Sequence, residues 1–387
     1  MTGLDRRGFL GALGAGVAGT VLASACSGPT HPPPPTAAPT PVAAPRPLFV
    51  GTYTDGDGAG KGIGLGTWDP DSGELALDGT ATVANPSFLA IAPGGHVLYA
   101  VDEQDQGMVS ALTLTGDTLT MINSRSSEGA GPTHLCVHPS GRYVLAANYD
   151  SGSAVVLPVD AHGGLEPASD LAQHTGSGPD HERQDAPHVH QVLPDPSGQY
   201  LHAVDLGTDS IYAYQLDLVT GKLALRKQAK LRAGSGPRHL AFHPSGRFAY
   251  VATELGASVI TCGYADGLLT PLREQPTIPT PPTGVANAPA EVLVSADGRF
   301  VYVSNRGTDT IGVFAVGPDG QLKLVTTPAC GGKTPRHIGL DPTGRYLFCS
   351  NQDSNNVTTF AVDKTTGGLT AAAKPLLTPS PVCTLSL

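Results

Sequence analysis

The chain has 387 residues, with 49 glycines, 35 prolines and a net charge of −10. A surplus of acid is repelled by a phosphate backbone, so nucleic acid is excluded as a partner. Abundant Gly and Pro suit many short strands joined by turns rather than helices.

Residues 1–26 read as a targeting segment. Arg6-Arg7-Gly8-Phe9-Leu10 leads into a Gly/Ala-rich stretch that stays uncharged to residue 25. This resembles a twin-arginine export signal, which addresses already folded cargo to its route. The segment closes with Leu22-Ala23-Ser24-Ala25-Cys26. Ala23-x-Ala25 suits ordinary cleavage. The small residues before Cys26 also resemble a lipobox, in which Cys26 is lipidated as the mature first residue. Residues 27–46, rich in Pro, Ala and Thr, cannot bury a core and read as an extended tether. The expectation is an exported protein of the cell envelope, anchored through Cys26 or else periplasmic or secreted, with no other membrane contact.

Residues 47–387 repeat. A Pro leading into a short apolar strand recurs at Pro86, Pro132, Pro187, Pro237, Pro289, Pro335 and, truncated, Pro381. A Gly closely followed by Leu recurs independently at Gly73, Gly116, Gly164, Gly221, Gly267, Gly320 and Gly368. Both features count seven. Residues 47–84 lack the opening strand, and the tail from Pro381 supplies one. The expected fold is therefore all-β, a seven-bladed β-propeller closed by the C-terminal strand beside the N-terminal blade near Phe49. A closed ring leaves no long strand edge, so a monomer is expected.

Pro237 to Leu272 shows one unit. Two apolar runs flank the turn Pro244-Ser245-Gly246. Ser258 to Tyr264 alternates as a third strand, and Asp266-Gly267 turns into a fourth. In such a blade the start of the first strand and the end of the second lie at one end, around the channel mouth. Two connections between blades, Leu171–Pro187 and Arg273–Pro289, are long enough to rim that mouth. His138 and His243, in the His-Pro-Ser-Gly turns, lie at the opposite end and read as turn residues.

At the mouth, each second strand ends in a small polar residue (Thr52, Asp102, Asn148, Asp205, Thr253, Asn305 or Asn351), which reads as a turn former. The next position varies: Tyr53, Glu103, Tyr149, Leu206, Glu254, Arg306, Gln352. The first strands open with His134, His188 and His190, Arg238-His239, Glu291, and Arg336-His337. Carboxylate, imidazole and guanidinium thus converge without a nucleophile elbow, a phosphate loop or a dinucleotide fingerprint. They suit hydrolysis by activated water, with Glu254 or a His as base and Arg residues stabilising the oxyanion. Five cysteines follow Cys26, namely Cys136, Cys262, Cys330, Cys349 and Cys383, with no zinc-like spacing. Most read as buried thiols. A Cys349–Cys383 bridge across the closure is the one pairing considered.

Several stretches carry a family likeness: PHVHQVLPDPSGQYLHAVDLGTDS, GPRHLAFHPSGRFAYVATEL, AEVLVSADGRFVYVSNRGTDT and PRHIGLDPTGRYLFCSNQDSNNV. Over residues 47–387 the chain resembles the lactonase family of seven-bladed propellers. That family includes bacterial 6-phosphogluconolactonases of the cycloisomerase-2 type and a fungal muconate-lactonising enzyme. The resemblance implies a lactone substrate, opened without a required metal or other cofactor. It implies a polar cleft lined by His188, His190, Arg238, His239, Glu254, Glu291, Arg306, Arg336 and Gln352, within which Glu254, His190, Arg238, His239 and Arg306 are the expected catalytic residues. His134, His188, Glu291, Arg336, His337, Gln352 and Tyr149 would hold the substrate. Thr253 stands where family members more often show Asn. The export signal points to a substrate other than a cytoplasmic sugar phosphate. Two alternatives stand beside this reading. One is a non-catalytic propeller binding a cell-envelope polysaccharide or protein. The other is a Ca²⁺-dependent lactonase using Glu254, Asn148, Asp205, Asn305 and Asn351 as ligands.

Overall fold

The computed structural model describes residues 44–56 and 59–387. The export signal, Cys26 and nearly all of the tether lie outside the described residues. The described elements are strands, apart from one 3-10 turn at Gln352–Ser354. They form seven antiparallel sheets. Blades 2 to 7 open with the strands Leu89–Ile91, Pro132–Val137, Val189–Pro194, Pro237–Phe242, Ala288–Val294 and Pro335–Leu340. Blade 1 has the strand Pro381–Ser386 in this place, beside Arg46–Thr52. Leu48 faces Ser386, Val50 faces Thr384 and Gly51 faces Cys383. These seven inner strands touch one another all the way round. The ring is therefore closed, and its first strand begins at Arg46, one residue before the expected boundary.

Apolar residues fill the spaces between blades. Trp68 of blade 1 stands edge-on to Tyr346 and Phe348 of blade 7, with ring centroids 6.5 and 5.9 Å apart. Its Nε1–H donates to the Leu387 carbonyl at 3.2 Å, so the same side chain seals the joint and holds the tail. His138 and His243 do more than turn the chain. Each reaches the next blade, to the carbonyls of Gly198 (3.2 Å) and Gly298 (2.9 Å).

A bulge recurs at the start of the inner strand. Pairing slips between Pro132 and His134, Val189 and Gln191, Pro237 and His239, and Pro335 and His337. In blade 6 it slips between Pro289 and Val292. A regular strand sends consecutive side chains to opposite faces. A bulge adds a residue and re-aims its side chain, which explains how the neighbours Arg238 and His239 both serve one pore.

All five described cysteines are free, so the Cys349–Cys383 bridge does not form. Cys349 packs with Cys330 in the core between blades 6 and 7, and its thiol bonds the Asn351 Oδ1 at 3.3 Å. Cys383 packs with Phe49 and Leu89 between blades 1 and 2. The two thiols sit in different interblade layers.

Candidate functional site

Glu254 follows directly on the second strand of blade 5, and its N–H is tied to the Gly236 carbonyl at 2.8 Å. Gly236 has φ +54°, and a Cβ there would lie 2.5 Å from Leu255 Cγ. A side chain here would be strained by the positive φ and would displace the Leu255 side chain, next to Glu254. The buried Glu254 carboxylate meets three guanidiniums: Arg306 Nη2 at 2.7 Å, Arg183 Nη2 at 2.7 Å and Arg238 Nε at 3.4 Å. Burial pushes the carboxyl up, but Arg306, Arg238 and Arg183 together outweigh it and hold Glu254 at about 2. Burial, reinforced by Arg306 and Arg336, pushes Arg238 below the ordinary guanidinium range. Arg238 Nη1 also donates to the Ala290 carbonyl at 2.6 Å, and Arg306 Nε to the Ala288 carbonyl at 3.2 Å.

Arg183 comes from the connection 174–188 and is 44% exposed. It also donates to the Tyr149 hydroxyl at 3.1 Å. Buried side chains secure this connection. His174 Nδ1 lies 2.7 Å from Asp205 Oδ2, and the Tyr214 hydroxyl lies 3.0 Å from His174 Nε2. Gln184 Nε2 donates to Asp209 Oδ1 at 2.9 Å, and the same oxygen accepts the Gly236 N–H at 2.7 Å. One buried carboxylate thus anchors both the segment that carries Arg183 and the turn that seats Glu254.

Around the rim, Tyr149 stacks on His188 with centroids 4.5 Å apart. Across the pore, Arg336 lies 3.8 Å from Glu103 and 5.3 Å over the Tyr53 ring. The Tyr53 hydroxyl donates to Glu103 at 3.0 Å. Burial, with help from Glu103, pushes Tyr53 up to about 12.

A buried aromatic and imidazole layer accompanies the arginines. His239 lies 5.3 Å from His134 and 5.1 Å from His190, centroid to centroid, and Phe88 covers His134 at 4.0 Å. His239 Nδ1 bonds Glu291 Oε1 at 2.9 Å, and His337 Nε2 approaches Glu291 Oε2 at 3.9 Å. Burial dominates here, and the guanidiniums add to it. His134, His190 and His239 are held well below 6.5, and burial with His239 and Arg238 brings His337 to about 4. All four are neutral imidazoles near pH 7.

This layer makes the ring acid-sensitive. The folded state resists protonation that the unfolded chain accepts below 6.5, so stability is full above 6.5 and falls as the pH drops. His337 alone accounts for about 3 kcal/mol between pH 6.5 and 4. Glu254 removes a similar amount between pH 4.5 and 2. Denaturant midpoints at pH 7 and pH 5 are expected to differ measurably, with the lower value at pH 5.

The structure brings together Glu254, Arg238 and Arg306, and beside them His190, His239, His134, Glu291, His337, His188, Tyr149 and Arg336. The Gln352 side chain makes no hydrogen bond or ion pair with them among the described residues; its backbone N–H bonds the Thr334 carbonyl. The proposed calcium ligands are not a set. Asn148 and Asn351 turn onto their own loops, at Ser153 and Thr358. Asn305 does the same at Thr310, and Asp205 is spent on His174 and the His188 N–H. Glu254 is spent on guanidiniums. No sequence signal marks Arg183, although the long connection that carries it reads as a rim. A hollow of ≈720 Å³ elsewhere, lined by Arg273, Ile278 and Leu324, contains none of these groups.

The model of the family described as "Lactonase, 7-bladed beta-propeller" matches residues 47–386. The chain is 38% identical over 344 residues to a 6-phosphogluconolactonase of Bacillus subtilis, covering 87% of this chain and 96% of the relative. Among solved structures it resembles a putative 6-phosphogluconolactonase of Bacteroides fragilis (TM-score 0.83, 35% identity, 90% of this chain and 100% of that one). It also resembles the periplasmic gluconolactonase of Pseudomonas aeruginosa (TM-score 0.82, 32% identity, 89% and 99%).

Proposed function

Since this chain belongs to the lactonase family of seven-bladed β-propellers, we propose that it hydrolyses a sugar-acid lactone at the channel mouth. The observation that carries the reading is the convergence of Arg183, Arg238 and Arg306 on Glu254. Ring opening by water passes through a tetrahedral oxyanion and ends in a carboxylate. Guanidiniums already aimed at one point favour both over the neutral lactone, with no reorganisation at the moment of reaction. Like charges so close need an anion between them, and Glu254 supplies it. The Glu254 carboxylate oxygens are taken up by the three guanidiniums, so Glu254 orders the arginines rather than taking the proton of water. His188, Tyr149 and Arg336 at the rim suit the hydroxyls of a sugar acid, and His190, His134 and His337 line the wall beside them.

The proposal extends to location. Arg6-Arg7, the apolar run and the tether after Cys26 support export and retention in the envelope, with Cys26 lipidated or the signal cleaved. A substrate met there is a lactone other than a cytoplasmic sugar phosphate, and the likeness to a periplasmic gluconolactonase accords with this. The protein is proposed to act as a monomer.

The reading is tested by base uptake with five- and six-membered aldonolactones and with the methyl ester of the same acid. The lactones are expected to open and the ester to be spared. Failure to open any lactone would end this reading. Arg183, on the exposed connection, makes two charge-assisted bonds. Its replacement by Met is expected to lower kcat roughly tenfold or more while KM changes little.

A further inference from the structure

A cavity of ≈10 Å³ lies within the ring, lined among others by Ser87, Phe88, Arg238, His239, Glu291 and His337. That is about the least room that admits one water molecule. Four residues of its lining carry a buried polar atom with no hydrogen-bond partner: Ser87 Oγ, His239 Nε2, Glu291 Oε2 and Arg238 Nε, the last of which faces Glu254 at 3.4 Å. Buried polar atoms are rarely left unmatched, and a buried water takes two to four such partners. We infer that this cavity seats the water that attacks the lactone, and that His239, oriented by Glu291, is the base that takes its proton. The inference rests on the reading of the protein as a lactone hydrolase.

The geometry suits the role. His239 Nδ1–H donates to Glu291 Oε1 at 2.9 Å, which leaves the lone pair on Nε2. Glu291 is itself held, since its N–H donates to Ser304 Oγ at 3.0 Å and its Oε1 accepts the Val292 N–H at 3.2 Å. Arg238 joins the two levels. It lines the cavity, and its Nε lies 3.4 Å from Glu254 at the mouth. In this proposal the lactone carbonyl lies on the mouth side of Arg238, next to the water. Arg238 and Arg336 both line the cavity, so the imidazolium formed on His239 depends on the Glu291 carboxylate for its countercharge.

The step balances. His239 Nε2 accepts a proton as the water oxygen bonds to the carbonyl carbon, and the carbonyl π electrons move to the oxygen facing the guanidiniums. When the tetrahedral centre collapses, the ring C–O bond breaks. The imidazolium returns its proton to the leaving ring oxygen, giving the open hydroxy acid. Glu291 stabilises the imidazolium in between. The groups facing this pair are His134, His190, Arg238, Glu254, Arg306, Arg336 and His337. Burial raises Glu291 above the ordinary carboxylate range. Since the pair works with Glu291 ionised, the acid limb of kcat/KM belongs above that range, with activity lost as pH falls.

Three measurements decide it. His239→Gln is expected to lower kcat for lactone opening by roughly 10²–10⁴-fold with KM little changed. Glu291→Gln is expected to abolish the wild-type acid limb, and Glu291→Asp to retain it. A high-resolution crystal structure of the unmutated protein is expected to place a water within hydrogen-bonding distance of His239 Nε2. This last readout stands even if a variant fails to fold. An active wild type whose His239→Gln variant keeps its kcat, or a cavity without water, would overturn the inference alone. A wild type inactive on every lactone would overturn the functional reading and this one with it.

Discussion

A chain ending at Ser380 is expected to lose its folded ring. Pro381–Ser386 is the inner strand of blade 1, paired along Leu48–Thr52. Without it that edge is unpaired and the joint to blade 7 opens. Val382 and Cys383 are each 2% exposed, and burial of side chains of this size is worth about 1.5–3 kcal/mol each. The tail also contributes the Thr384–Ser350 hydroxyl contact at 2.7 Å, the Thr384 N–H bonded to His337 Nδ1 at 3.3 Å, and the Leu387 carbonyl held by Trp68. Together these approach the whole stability of an ordinary domain, about 5–15 kcal/mol. Circular dichroism melting should show the truncated chain aggregated, or unfolding far below the intact protein. An unchanged melting curve would mean that closure does not depend on the tail.

Glu254→Gln is expected to remove about 10³-fold or more of kcat/KM for lactone opening. The amide keeps the shape but deletes the charge on which Arg183, Arg238 and Arg306 converge. Losing one preorganised donor typically costs 10²–10³-fold, and here three lose their alignment at once. Breaking a buried ion pair also costs about 3–5 kcal/mol of stability, so melting must be measured alongside activity. A folded variant with wild-type kinetics would remove Glu254 from the mechanism.

Much of this is legible in the sequence. The Pro motifs and Gly-Leu turns count blades because a four-stranded unit needs those breaks at fixed places. The tail reads as a strand because PVCTLSL lacks only a partner. The polar starts of the inner strands, such as Arg238-His239, marked the pore. The rest depends on three-dimensional placement. Alternation along a strand gives no hint that bulges at Pro237/His239 and Pro335/His337 turn consecutive side chains to use. Arg183 lies in a connection without periodicity, and its reach to Glu254 depends on anchors such as His174–Asp205 and Gln184–Asp209. Glu254 looked like a base by residue type, but its charge neighbours decide otherwise. Cys349 and Cys383 invited a bridge because the tail closes the ring, yet the blades place them in separate layers.

The central claim is that Glu254 and its arginines act as one unit in lactone opening. A double-mutant cycle on kcat/KM with Glu254→Gln and Arg306→Gln tests it most directly. If Glu254 works by aligning Arg306, the double variant should be scarcely slower than the worse single variant. Losses that simply multiply, or two single variants with wild-type rates, would contradict the account.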